Sequence, residues 1–527
     1  MTCVGQVLLL LLFLGSVPAW GSQEVSRESS PELLDMADLK ALAGREPPAA
    51  TMRKLELLLH TPFIRNRAAT IPSEGTPSDF GLRVAFWNIE RGQQLELIRN
   101  ALADPPRFRT IVEAGRQKRV PDRKWRRAEA ELALLRSADV ILLNEVDLGM
   151  KRSGYADVAR ELADTLHMNY AFGVEFVEVD GLYTGDERIK MKTPEETQAL
   201  ADDLRADPAR YRGLHGNAIL TRFPLRSVRV ARLPECYDWY GEELDGIAAL
   251  EKQKRWAAKK VFAERMMRQV RRGGRMALVA ELEVDGAPAR ITVVSAHLED
   301  HTRSACRGDQ VEALMTQLRN TPGVVVVGGD LNTSGMDGTP TSIRYEIKKR
   351  VANPRFWTNQ GFRWFTPLSV PAIVTFPINL WKNHHDPTAV HVPFFLPNRA
   401  RQIFRKLRGF EFADGGRFDF TGNATRSGNR RGRSLANSNQ RAWKGFHPTY
   451  HMERTYFFAG TYRLDWLLVK PAPQQGGAAL FRPRNPRTLR AMNELGRERL
   501  SDHQPITVDL EPLPNGTSDP ARTNDRR

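Results

Sequence analysis

Six points along the chain carry side chains able to bind a metal, move a proton or hold an anion, and each lies at the end of an expected strand. They are Asn88, Glu145, His297, Asp330 with Asn332, Asp465, and Asp502 with His503. These types suit phosphoester chemistry. A phosphoester is anionic and resists attack, so its hydrolysis needs charge neutralisation, an activated water and in-line positioning. Carboxylate oxygens bind hard cations, and an imidazole trades protons near neutral pH. Taken singly, each residue has a plain explanation: an Asn caps a turn, a lone His is structural, an Asp-His pair lies on the surface. Six in one chain, all at strand ends, weigh against that explanation.

The elements that must position them are legible in outline. Val324-Val325-Val326-Val327 is a strand buried on both faces. Gly328-Gly329 lets the backbone turn at its end, and period-2 geometry sets Asp330 and Asn332 on one side. Residues 82–90, 138–147, 215–222 and 463–469 read as further strands. Met276–Val284 and Ala289–Ala296 form a hairpin through Asp285-Gly286, and a last strand follows Pro505. Helices are expected over 123–137, where Trp125, Ala128, Leu132 and Leu135 keep helical spacing, and over 157–166, 241–272 and 307–319. Residues 22–80 read as an N-terminal helical extension, 81–511 as the catalytic domain, and 512–527 as a disordered tail. Insertions are expected at about 175–212 and 338–460.

The chain has 527 residues, 27% of them charged and 41% hydrophobic, the balance of a folded protein and not of a disordered one. Its net charge of +16 points to an anionic partner. Residues 399–454 hold 13 Lys/Arg against 4 Asp/Glu, interleaved with Phe404, Phe410, Phe412, Phe418, Phe420, Trp443 and Phe446. This mixture suits phosphate contact with base stacking, or equally a solvated loop folded back on a small core. Val7 to Val17 followed by Ala19-Trp20-Gly21 reads as a signal peptide over 1–21, so the protein is expected to be secreted or periplasmic. Cys236 and Cys306 would remain after cleavage, enough for one disulfide.

In order, Trp87-Asn88-Ile89, Asn144-Glu145-Val146-Asp147, Gly216-Asn217-Ala218-Ile219-Leu220, Ser295-Ala296-His297-Leu298, Gly329-Asp330-Leu331-Asn332, Leu464-Asp465-Trp466 and Ser501-Asp502-His503-Gln504-Pro505 resemble the endonuclease/exonuclease/phosphatase superfamily, the deoxyribonuclease I-like metal-dependent phosphodiesterases. Each motif is weak alone; the ordered set, over about residues 81–511, is specific. The resemblance implies a four-layer α/β sandwich, two mixed β-sheets face to face with helices outside, here with a large irregular basic insertion. It places the site where the strand ends converge.

On this reading Glu145 is the main ligand of Mg²⁺, with Mn²⁺ as the alternative, and Asn88 and Asp502 complete the metal site. No closely spaced His/Cys cluster of the zinc type occurs. Asp330 orients or deprotonates the attacking water, Asn332 holds a phosphate oxygen, and His297 donates to the phosphoryl oxygen. Asp465 orients His503, and either Asp330 or the His503–Asp465 pair is the base. Glu90, Asp147, Arg152 and Asn217 lie near the site, Asn217 as a turn residue. His384, His385, His447 and His451 read as surface histidines. The expected substrate is an anionic phosphodiester, nucleic acid favoured. A lipid head group is the alternative, with Thr375–Trp381 and Val392–Leu396 as membrane-entering stretches, and a phosphomonoester a third. A secreted binding module without activity is the non-enzyme reading.

Overall fold

The computed structural model describes residues 28–66, 81–115, 119–186, 193–244, 269–333, 400–420, 441–442, 445–446, 448–456, 459–473, 480–496 and 499–513. Its strands are β1 (Glu28–Ser29), β2 (Phe63–Arg65), β3 (Leu82–Asn88), β4 (Val140–Leu148), β5 (Asn169–Glu178), β6 (Leu214–Thr221), β7 (Leu225–Arg232), β8 (Arg271–Gly273), β9 (Met276–Leu282), β10 (Ile291–His297), β11 (Val324–Asp330), β12 (Arg441–Ala442), β13 (Gly445–Phe446), β14 (Tyr450–Tyr456), β15 (Ala459–Tyr462), β16 (Asp465–Lys470), β17 (Phe481–Thr488) and β18 (Ile506–Pro512). Its helices are α1 (Met36–Ala43), α2 (Ala49–His60), α3 (Leu95–Ala103), α4 (Pro105–Ala114), α5 (Asp122–Arg136), α6 (Val158–Thr165), α7 (Gly181–Thr184), α8 (Pro194–Leu204), α9 (Gly241–Leu244), α10 (Ser304–Leu318) and α11 (Arg401–Gly409).

Two mixed sheets dominate. One runs β1-β2-β5-β6-β4-β3-β18-β17 with β8 added to β5, and the other runs β16-β11-β10-β9-β7. Only β3/β4 and β10/β11 pair in parallel among these neighbours. The reason is local: α5 returns the chain before β4, and α10 before β11, so each crossover is long enough to carry a helix. Apolar side chains from both inner faces, among them Val84, Phe86, Leu142, Ile219, Leu278, Val293, Val326 and Leu467, make the central core. Outside, α5 buries Trp125, Ala128, Leu132 and Leu135 at the expected spacing. Helices α10 and α11 cover the second sheet. Helices therefore flank two face-to-face sheets, the four-layer sandwich expected above.

Three expectations change, and the N-terminal extension, open between a surface arm and a packed one, is packed. Glu175–Glu178 is not the start of an insertion: it completes β5, whose ten residues are all buried. Arg271–Gly273 is a strand on β5, not the end of a helix; residues 245–268 of that stretch lie outside the described residues. The N-terminal helices are packed in, with Leu39, Leu42, Leu55, Leu58 and Leu59 buried, and β2 pairs with β5. Of the interleaved aromatics, Phe404, Phe412 and Phe418 are buried beneath the second sheet and Phe410 and Phe420 pack against them, so these five are core and not base-stacking platforms. Cys236 and Cys306 form the disulfide, with their Cα atoms 5.9 Å apart.

The two glycines of β11 serve close packing and not a turn, since both lie inside the strand. A Cβ on Gly329 would sit 2.1 Å from the Ala296 carbonyl oxygen, a backbone atom that cannot swing away. Gly329→Ala is therefore expected to destabilise by about 3 kcal/mol, read as a lower midpoint in urea unfolding. A change below about 0.5 kcal/mol, the size of an ordinary surface substitution, would show that the strands part freely there.

Candidate active site

The parallel pairs aim their C-terminal ends the same way, and the expected residues meet at that end of the sandwich. Asn144, buried on β4, stitches the sheets together. Its Oδ1 accepts from the Asp330 amide at 2.9 Å, and its Nδ2 donates to Asn217 Oδ1 at 2.7 Å and Ser295 Oγ at 3.1 Å. One residue on, β4 bulges: its register with β6 shifts between Leu143 and Val146, and Glu145 takes φ 52°. A bulge frees one residue from the ladder and re-aims its side chain. Here it turns Glu145 toward Asn88, whose Nδ2 lies 3.1 Å from Glu145 Oε1 and 3.4 Å from Asp330 Oδ2.

Glu90, Arg91 and Asn332 also have positive φ. Among the described residues, four of the seven such non-glycines thus line this one end, where backbone strain is held by surrounding structure. Asn332 departs from strand alternation for this reason. Its backbone N–H donates to Asp330 Oδ1 at 2.9 Å, and its side chain donates to the Leu298 carbonyl at 2.9 Å.

On the opposite wall, Asp465 is fully buried at the start of β16, and its Oδ2 lies 2.9 Å from His503 Nδ1. His503 Nε2 then faces Asp330 Oδ2 at 3.7 Å and Asp502 Oδ2 at 4.0 Å. The residues before β18 are locked in place: Ser501 Oγ donates to the Asn88 carbonyl at 2.7 Å, and Trp87 Nε1 and Asn493 Nδ2 donate to the His503 carbonyl. Glu90 Oε2 accepts from the Asp502 amide at 2.8 Å. Tyr450 packs edge-on against the His503 ring, with centroids 4.9 Å apart.

Electrostatics separate these groups. Burial raises the Asp330 carboxyl, the nearby Asp465 raises it further, and His503 and His297 only partly oppose them, so its pKa is pushed up to about 6. His503 is raised as well, but against burial: burial disfavours its charge, and Asp465, Asp502 and Asp330 outweigh it and lift the imidazole well above its usual value. Burial also works against Glu145, yet Arg91 (Nε 3.7 Å from Oε2), His297, His215 and His503 hold its carboxyl far below the ordinary range. At neutral pH the site thus holds an ionised Glu145, a charged His503 and an Asp330 poised near its own titration.

His297 ends β10 beside a second charged layer. Glu175 Oε2 lies 3.3 Å from its Nδ1, and Arg275 Nη1 lies 2.8 Å from the same atom. Arg275 also pairs with Asp300 at 2.9 Å and Glu299 at 3.5 Å. Further along, Arg152 bridges Asp147 (2.6 Å) and Glu178 (2.9 Å), while His215 Nδ1 sits 2.8 Å from Asp147 Oδ1. Asp147 and Arg152 therefore saturate each other behind the site.

The structure brings together Asn88, Glu145, His297, Asp330, Asn332, Asp465, Asp502 and His503. Asn217 is not a turn residue but a buried strand residue that links Asn144 to Glu175. His451 is buried, its amide bonded to the Asp502 carbonyl, and not a surface residue; His384, His385 and His447 lie outside the described residues. Sequence reasoning missed Arg91, Glu175, Arg275 and Tyr450, and the bridging role of Asn144. Glu175 had a signal, an acid inside an apolar strand run; Arg91 had none.

A metal fits this donor set. Glu145 Oε1 and Asp330 Oδ2 converge on one Asn88 Nδ2, at 3.1 and 3.4 Å, beside the cluster of Asp330, Asp465 and His503, whose ligand-type atoms lie within 4.8 Å of one another. Such oxygen-rich sets suit hard divalent cations. Asn88 is at present a donor, because its Oδ1 accepts from the Glu90 amide at 3.1 Å while its Nδ2 faces the two carboxylates.

Two mixed sheets closed at one end by buried acids, amides and an Asp–His pair define a hydrolase of phosphoester bonds. The match of residues 85–503 to the Endonuclease/Exonuclease/phosphatase family model shows that the chain belongs to that family. No curated protein matches the chain. Among solved structures it is similar to an endonuclease/exonuclease/phosphatase from Beutenbergia cavernae, at 15% identity over 82% of this chain and 72% of that one, with a TM-score of 0.35. It is also similar to the human Nocturnin catalytic domain with bound sulfate, at 12% identity over 82% and 95%, TM-score 0.34. A third is D. rerio TDP2 complexed with a single-strand DNA product, at 12% identity over 82% and 100%, TM-score 0.31.

Proposed function

We propose that this chain is an exported, divalent-metal-dependent phosphodiesterase whose substrate is nucleic acid. The carrying observation is the convergence of Glu145, Asn88, Asp330 and the Asp465–His503 pair at one end of the sandwich. Glu145, with Asn88 3.1 Å from it, and Asp502 would hold Mg²⁺ (or Mn²⁺), which would supply Lewis-acid neutralisation of a phosphoryl oxygen and a lowered pKa for bound water.

The chain's own residues do the rest. Asp330, with a pKa of about 6, is ionised at neutral pH yet basic enough to take a proton from the attacking water, as an efficient general base must be. His503 is held charged by Asp465 and faces the reacting centre through Nε2, where it stabilises the developing negative charge and returns a proton to the leaving oxygen. His297 donates to the phosphoryl oxygen. Asn332 spends one amide hydrogen on Leu298 and has the second for a phosphate oxygen.

Export rests on the apolar leader, residues that lie outside the described ones. Among the described residues no helix is long and apolar enough to cross a membrane. The lipid-entering stretches 375–381 and 392–396 also lie outside them, so nothing described favours a lipid over nucleic acid.

The test is product release from plasmid DNA, RNA, sphingomyelin and a phosphorylated inositol, with Mg²⁺ or EDTA. Nucleic-acid cleavage that vanishes in EDTA and falls at least about 10³-fold in Glu145→Gln is the expected result, a loss on the scale of a removed catalytic charge. Cleavage that persists in EDTA would remove the metal from the mechanism, and cleavage of the lipid alone would replace the substrate.

A further inference from the structure

Residues 105–127 hold nine Lys/Arg against two Asp/Glu, a surplus of +7 within 23 residues. The described ones fold as α4 and the first turns of α5. Phe108 and Trp125 turn inward and meet edge-to-face at 6.0 Å, which leaves the cations outside. Arg123, Lys124, Arg126 and Arg127 are exposed. The side chains of Arg123, Lys124 and Arg126 make no ion pair or hydrogen bond among the described residues. Of the two acids in the stretch, Asp122 is shared by Arg109 at 3.2 Å and Arg119 at 3.9 Å, and Glu113 is taken by Arg109 at 3.2 Å and Trp125 Nε1 at 3.1 Å.

This arrangement opposes local stability. The first turn of a helix carries positive partial charge, so cations such as Arg123 and Lys124 are disfavoured there relative to acids. Clustered unpaired cations also repel one another. A helix that stabilised only itself would reverse this pattern.

Position supplies the reason. Helix α5 leads directly into β4, whose far end carries Glu145, so the helix runs antiparallel to the strand and its N-terminus lies at the site's end of the sandwich. Midway along α5, Glu131 accepts from the Met492 amide at 2.9 Å. The next residue, Asn493, donates to the Ser501 and His503 carbonyls at 2.7 and 2.9 Å. One loop therefore separates α5 from the catalytic histidine, and Arg126 and Arg127 stand one turn nearer the rim than Glu131.

We propose that Arg123, Lys124, Arg126 and Arg127 form a ridge on the rim of the site that holds the phosphate backbone of a nucleic-acid strand whose scissile bond lies in the cleft. The proposal rests on the nucleic-acid reading above and extends it to the flanking strand. A membrane is the poorer fit, because a surface that enters lipid presents apolar anchors beside its cations, and the described ridge exposes only Ile111, to 39%.

The test combines Arg123→Gln, Lys124→Gln and Arg126→Gln, all surface changes. Binding of a fluorescent single-stranded oligonucleotide is read by anisotropy in EDTA from 50 to 300 mM salt, on the full chain. The variant is expected to bind at least about tenfold more weakly at low salt, with the slope of log affinity on log salt reduced by about 2, since each lost phosphate contact removes about 0.7. Its kcat on bis(p-nitrophenyl) phosphate should equal that of the parent. A control, Arg226→Gln with Arg290→Gln, removes charge at the opposite end of the sandwich and should leave the slope unchanged.

If the parent cleaves nucleic acid while the variant keeps its affinity and slope, the ridge is wrong and the function stands. An equal loss in the control would show that net charge and not place matters, which also overturns the ridge. A parent that hydrolyses the small diester but neither binds nor cleaves the oligonucleotide overturns both. Ridge-dependent binding to phosphatidylserine vesicles without oligonucleotide binding would make the partner a membrane and overturn both as well.

Discussion

Asp330→Asn is expected to lower kcat about 10³-fold, within the range for loss of a general base, and at the same time to stabilise the protein above pH 6. The two effects share one cause. The Asp330 carboxyl is raised from 3.8 to about 6 by burial and then by Asp465, against His503 and His297. Between about pH 4 and pH 6 the folded chain therefore keeps a proton that the unfolded chain releases. Stability from this group falls as pH rises through that window and stays low above it. An asparagine never ionises, and its side-chain oxygen can still accept from the Asn332 amide, so the variant avoids the penalty. The displacement is worth roughly 1–3 kcal/mol, read by urea unfolding in EDTA at pH 8, with the gain gone near pH 4. A variant less stable than the parent at pH 8 would sink the claim of an unfavourable buried charge. The pH–rate profile tests the other half: the rise near pH 6 should vanish in the variant, and its survival would move the base elsewhere.

The second large effect concerns His503 and Asp465. His503→Ala and Asp465→Asn are each expected to lower kcat by about 10² to 10⁴ with little change in KM. Asp465 holds His503 through Nδ1 at 2.9 Å and does the most among the acids that keep the imidazole charged. Removing Asp465 lowers the imidazole pKa, so the alkaline limb of the pH–rate profile should shift to lower pH. Because the two act as one unit, the double variant should lose no more than the worse single one. Additive losses would mean that Asp465 acts on the substrate or metal by itself, and an unmoved alkaline limb would mean that His503 is not the titrating group.

The candidate site was legible because strand geometry is repetitive. A polar residue at either end of an apolar run falls at the end of a sheet: Asn88, His297 and Asp330 close their strands, Asp465 opens β16, and His503 stands just before β18. The helix α5 and its four buried positions followed from the 3.6-residue period alone. The glycines of β11 were read in the right place for the wrong reason: what they answer to is the Ala296 carbonyl on the neighbouring strand, a contact between residues 33 positions apart. Glu175–Glu178 was assigned to an insertion because acids interrupt its apolar pattern. Their charges are matched by Arg275, Arg271 and Arg152, partners that local sequence does not reveal.

By itself, then, the amino-acid sequence determined the chemical inventory, the order of the strands that carry it and the family to which the chain belongs, since these depend on short-range periodicity and residue type. Tertiary structure alone decided the bulge that turns Glu145 into the site, the left-handed backbone at Glu90, Arg91 and Asn332, and the upward pKa displacements of Asp330 and His503. Each of these depends on what distant segments bring within a few ångströms, and in a buried, low-dielectric site such neighbours outweigh any property a residue has along its own chain.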